Sequence, residues 1–132
     1  MNFFVIVQAA LWDNAELLED LLNGPELAHL NSCDRLGRTP LHAAASNDNS
    51  RCLPLLLHAG ALCNIPAAEH KTVLHVAAET GYLQNVAVLL QYGANLLCRD
   101  INGCTALDLA EKMEHEQCCV LLKRAAGEAV CC

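Results

Sequence analysis

DRLGRTPLHAAA, residues 34–45, contains positions that return twice downstream at a constant interval. Thr39, Thr72 and Thr105 are 33 residues apart, as are Leu41, Leu74 and Leu107, and Ala44, Ala77 and Ala110. A fixed period of this size marks an internal repeat in which each copy is one supersecondary unit. Asp34 to Gly37 reads as a tight turn, with Gly37 supplying a positive φ that other residues resist. Pro40 suits the first turn of a helix, where its missing N–H would be unbonded anyway. That helix is expected to run to about Asn47, and Asn47 to Ser50 forms the next turn. A second helix follows, about Arg51 to Ala59, with Leu53, Leu56 and Leu57 packed and Gly60 at its end; Pro54 lies near its first turn.

Working outward, repeats are expected at about 1–33, 34–66, 67–99 and 100–132. In the first, Ala9 and Ala10 precede Ala44 and Ala45 by 35 residues rather than 33. The two extra residues fall most easily in Asn23-Gly24-Pro25-Glu26, which is turn chemistry. Its helices are expected at about Asn2 to Trp12 and Asn14 to Leu22, the latter turning Leu17, Leu18, Leu21 and Leu22 inward. The third repeat keeps Thr72, Leu74, His75, Ala77 and Ala78, but Ala67 replaces the turn's Asp, His70 its Gly and Val73 its Pro, which leaves the turn geometry open. In the fourth, Asp108 replaces His and Glu111 the second Ala, the polar substitution that an outermost face permits.

The D-x-x-G-x-T-P-L-H-x-A-A pattern at this period resembles the ankyrin-repeat family over nearly the whole chain. The resemblance implies an all-α fold, a solenoid of four stacked helix-turn-helix repeats joined by short hairpin-like turns, with the first and last repeats as caps. It also implies that His42 and His75 join turn to helix by side-chain hydrogen bonds. Turn tips and the exposed side of each first helix would line a concave groove, the usual partner site. That places Leu11, Trp12, Ser46, Asn47, Glu79, Thr80, Lys112 and Met113 along the helices. The tips add Arg35, Leu36, Arg38, Ala68, Glu69, Lys71, Ile101, Asn102 and Cys104. Trp12 is the sole Trp and reads either as a binding anchor or as a cover for the open end of the cap.

Composition agrees. The chain is 54% hydrophobic but 4% aromatic, so its core is built from Leu and Ala, which suits closely stacked helices. A net charge of −7 argues against nucleic acid as a partner. The nine cysteines are odd in number and lack framework spacing, so they read as free thiols of a cytoplasmic or nuclear protein. The apolar stretch Met1 to Trp12 lacks the basic start of a signal sequence and leads into an acidic run. The Cys131-Cys132 ending resembles a prenylated small-GTPase terminus without its polybasic segment, so no membrane attachment is expected.

No G-x-S-x-G, H-E-x-x-H, P-loop or Rossmann glycine pattern occurs, and no enzymatic activity is expected. His115, Cys118 and Cys119 approach a metal cluster, but Cys119 points about 100° away from Cys118 on a helix, so core packing accounts for them better. Neither cofactor nor metal is expected. The reading is therefore a non-catalytic adapter or scaffold, a monomer compatible with being one domain of a longer protein, that binds another protein. A free-standing inhibitor of a cyclin-dependent kinase or of NF-κB is the alternative, suggested by acidity and by the TALDLAE segment at Thr105 to Glu111. Against the kinase form stands a full-length first helix in the second repeat, which those inhibitors shorten. A lipid-anchored adapter using Cys131 and Cys132 is the third.

Overall fold

The computed structural model describes residues 2–48 and 50–127. Eight α-helices occur among them and no strand: α1 (Asn2–Leu11), α2 (Ala15–Leu22), α3 (Pro40–Ala45), α4 (Cys52–His58), α5 (Val73–Thr80), α6 (Leu83–Gln91), α7 (Ala106–Lys112) and α8 (Glu116–Ala125). Each odd helix packs on the even helix that follows it. The odd helices also pack on one another in chain order, and so do the even ones. The result is a two-layer stack with an inner row and an outer row.

The period sets the start of each inner helix. Thr39, Thr72 and Thr105 hold extended backbone and accept the N–H of His42, His75 and Asp108 on their hydroxyls. The residue three positions on reaches back to the threonine N–H, closing a capping box at each place. Pro40 occupies the first helical position behind Thr39, and Asn14 caps α2 through Leu17 N–H.

Between the two layers Leu18, Leu41, Leu53, Leu56, Leu74 and Leu89 are wholly or almost wholly excluded from water. The alanines at 9, 10, 44, 45, 77, 78 and 110 let the backbones approach among them. Truncating any of these leucines to alanine is expected to cost about 2–5 kcal/mol. Leu17, Leu21 and Leu22 pack against this core but are only half-buried.

Several helix bounds differ from the expected ones. α3 stops at Ala45 because Ser46 and Asn47 N–H turn to Ala43 and Ala44 oxygens, the tighter three-residue pattern of a fraying end. It has six residues, against eight in α5 and seven in α7, and Ser46 keeps helical φ and ψ at its end. In the first repeat Pro25 opens a 3-10 helix, Pro25–His29, outside the α-helices.

Amide side chains link successive repeats. Asn47 Nδ2 donates to Ala10 and Leu11 oxygens at 2.9 and 3.0 Å, and Asn85, itself buried, donates to Asn47 O at 2.7 Å while accepting from Ser50 N–H. Along the opposite edge, Asn31 and Asn64 accept from Leu62 and Asn95 N–H, both at 2.8 Å. Leu97, one period further on, is 80% exposed.

Candidate functional site

Three turns project beyond the inner helices. In the first, Asp34 Oδ1 accepts from Leu36 and Arg38 N–H, both at 2.9 Å, and its other oxygen takes Arg38 Nε at 2.9 Å. Burial pulls this carboxyl up, but the hydrogen bonds from Arg38 and Leu36 outweigh it and hold the group below the usual carboxylate range. Asp100 repeats the pattern with Asn102 and Cys104 N–H at 2.9 Å. The bond from Cys104 N–H leads in holding its carboxyl low. Gly37 and Gly103 take φ values of 76° and 79°.

The middle turn has neither residue type, yet it closes. Ala67 N–H meets Lys71 O at 2.8 Å, as Asp34 N–H meets Arg38 O at 3.0 Å. Glu69 and His70 both adopt left-handed backbone, φ 62° and 58°, and Lys71 N–H finds Ala68 O at 3.4 Å in place of a carboxylate. This settles the geometry left open at His70. Ala68 N–H to Leu36 O at 2.7 Å and Ile101 N–H to Glu69 O at 2.8 Å then string the tips together.

His42 and His75 tie helices to tips as the resemblance implied. Thr39 N–H donates to His42 Nδ1, so the proton must sit on Nε2, which donates to Lys71 O at 3.2 Å. Burial of the ring depresses the His42 pKa. His75 makes the same pair of contacts to Thr72 N–H and to Cys104 O at 2.9 Å.

Between the first two tips and α1, α3 and α5 lies a cleft of about 330 Å³. Of the expected partner-facing residues it gathers Leu11, Leu36, Arg38, Ser46 and Lys71, together with Ala68. Val7, Ala43 and Val76 complete its apolar floor and were not singled out from the sequence. Val76 stands one period after Ala43, and that substitution of a larger side chain is the signal that could have found it.

Trp12 lies just past α1 and is 68% exposed, so it does not seal the cap; it does not line the cleft. Arg35, Ile101, Asn102, Lys112 and Met113 are exposed but sit outside the cleft, and so does Cys104, which is half-buried. Three expected residues are engaged internally. Asn47 uses its amide on the Ala10 and Leu11 carbonyls at the end of α1. Glu79 pairs with Lys71 Nζ at 3.0 Å, a bond that raises the lysine pKa, and Glu69 stands 3.8 Å away. Thr80 Oγ1 donates to Val76 and Ala77 oxygens.

Among the described residues no three His, Cys, Asp or Glu side chains gather as metal donors. His115 reaches Glu79 O at 3.0 Å, and its ring lies so close to Gly81 that a Cβ there would meet it at 2.6 Å. All seven described cysteines are free thiols. Burial leads in pushing Cys52 up to about 12 and in raising Cys63, Cys118 and Cys119, so none of these four is an activated nucleophile. No described helix is long and apolar enough to cross a membrane, and Cys131 and Cys132 lie outside the described residues.

A stack of capped helix pairs with a cleft along its inner row is a repeat scaffold for binding. The family model described as ankyrin repeats (3 copies) matches residues 6–100 and 71–130, and the chain belongs to the ankyrin-repeat family. Ankyrin repeats are protein–protein interaction modules, generally without catalytic activity. Inversin from Gallus gallus is 33% identical over 118 residues, 88% of this chain and 10% of its own length. Inversin from Mus musculus is 36% identical over 97 residues, covering 72% of this chain and 9% of its own length. Human ankyrin repeat and SOCS box protein 16 is 43% identical over 75 residues, 56% of this chain and 17% of its own. The chain thus spans about a tenth of the length of the inversins it matches.

Proposed function

We propose that this chain is a non-catalytic adapter that binds a partner protein through the N-terminal half of its inner groove. The observation that carries the reading is the apolar cleft spanning α1, α3 and α5, with exposed Leu11 and Leu36 on its lining and Trp12 just beyond the end of α1. Exposed hydrophobes gathered at one place have a meaning that scattered ones lack. The adapter acts as a monomer, and its free thiols fit a reducing compartment, the cytosol or nucleus.

Affinity capture with wild type beside a Trp12→Ala and Leu36→Ala variant tests it. Partner binding should weaken by about 2 kcal/mol or more at an unchanged melting temperature. An equal loss from Val120→Ala with Tyr92→Ala, exposed positions of the outer row, would remove the site assignment. An inhibitor of a cyclin-dependent kinase is the second reading, suggested by the acidic charge and the TALDLAE segment. Failure to retain purified kinase in the same assay excludes it.

A further inference from the structure

The cleft between α1, α3 and α5 is walled by Val7, Leu11, Leu36, Ala43 and Val76, and the polar side chains set among them are spent inside the protein. Thr39 Oγ1 lies 2.9 Å from His42 Nδ1, and His42 Nε2 donates to Lys71 O. Ser46 Oγ donates to Ala43 O at 2.6 Å. Charges around the mouth cancel as well. Arg35, Arg38 and Lys71 balance Asp34, Glu69 and Glu79, with Arg38 held on Asp34 at 2.9 Å and Lys71 on Glu79 at 3.0 Å. Among the described residues no buried side-chain nitrogen or oxygen lacks a hydrogen-bond partner. The hollow would therefore strip an incoming charge of water and offer no buried group in return, an unfavourable exchange.

We infer that the occupant of the cleft is an uncharged apolar side chain, of the size of leucine, isoleucine, methionine or phenylalanine, carried by a segment of a partner protein. Leu11 and Leu36, 45% and 54% exposed, stand on the wall and lose water when it enters. Ala43 and Val76 hold the same place in successive repeats. The smaller of the two leaves the deeper floor between α1 and α3, and Val76 limits the hollow on the α5 side. At about 330 Å³ it is at the small end of ligand sites and admits a side chain or two rather than a whole helix. This inference rests on the groove reading above and names the chemistry of its anchor; attraction between charges of the partner and the tips has no part in holding it.

The probe is a displayed library of short random peptides selected on the whole protein, with the selected sequences then synthesised and titrated by fluorescence polarisation. One Leu, Ile, Met or Phe at a fixed position should be enriched, with neither sign of charge preferred beside it. Replacing that residue by alanine should weaken the peptide at least about tenfold, and replacing it by aspartate or by lysine should abolish binding alike. Affinity should change less than about twofold when salt is raised to about 0.5 M, because no exposed charge pair is there to be screened. Val76→Ala lengthens the hollow and should move the selected residue toward Trp. Ala43→Phe fills it and should abolish binding, and melting curves separate a filled hollow from an unfolded chain. Selection of no peptide, enrichment of a charged residue at the fixed position, a loss of about tenfold in salt, or an unchanged preference in Val76→Ala overturns the inference. If a captured partner is then still lost on Trp12→Ala with Leu36→Ala, the groove reading stands while this one falls; if that variant keeps the partner, the groove reading itself is gone.

Discussion

In the turn at 34–38 one carboxylate gathers two amide protons, whereas the turn at 67–71 has Ala67 in place of that aspartate and bends through two left-handed residues instead. Their outward closure is nevertheless alike, at 3.0 and 2.8 Å. What the two share is the bond between them, Ala68 N–H on Leu36 O; the middle turn is held further by Ile101 N–H on Glu69 O and by the His42 clamp on Lys71 O. The aspartate is thus a local stabiliser of a shape that the stack imposes. Where it is missing, the backbone takes up the difference in strain, about 1 kcal/mol for each non-glycine residue in the left-handed region.

The sharpest way to break this comparison is to remove the carboxylates that remain. Asp100 is 6% exposed, so Asp100→Ala should cost about 2 kcal/mol in urea unfolding, and Asp34→Ala, more exposed, about 1 kcal/mol. A reversed order would mean that burial does not set the worth of these bonds. A smaller change should run the other way. Ala67→Asp with His70→Gly supplies the acceptor and the permissive residue together, and should stabilise by about 1 kcal/mol. If the double variant gains nothing, the left-handed residues of the middle turn carry no cost.

The smallest effect is confined to one pH range. His42 titrates below the ordinary histidine value of 6.5 in the folded chain, burial leading, so the unfolded chain takes up its proton first. Its contribution is present above that value and is lost as the pH falls below it, until the folded pKa is passed. Protonating Nδ1 would also set it against Thr39 N–H. Urea midpoints should therefore fall between about pH 7 and pH 5, with faster amide exchange at 67–71, and His42→Gln should flatten that slope. Equal slopes in both proteins would dissociate His42 from the middle tip.

The sequence disclosed those features that one residue decides alone. Thr39, Pro40, Gly37 and the buried leucines and alanines are set by a cap, a missing N–H, a positive φ and a small volume; the threonine, Leu41 and Ala44 return at both intervals, the glycine only at 103 and the proline at neither. Arg38, Leu36 and Leu11 were assigned to the groove by the resemblance to ankyrin repeats, carried onto this chain through the period, and all three line the cleft. Asn47 could not be read this way. It aligns with Trp12 and Thr80 at an outward position, but its amide reaches across to the carbonyls of another repeat. The cleft floor was hidden for a related reason, since Val7, Ala43 and Val76 look like ordinary core residues until three separate helices bring them together.

The amide relay has a direction in time. Oxygens of Ala10 and Leu11 meet Asn47, and Asn47 O meets Asn85, so each link joins a segment to one synthesised later. The second helix pair thus brings a donor to oxygens of the first, and the third brings a donor to an oxygen of the second. An amide lost at residue 47 would interrupt that succession at its first step.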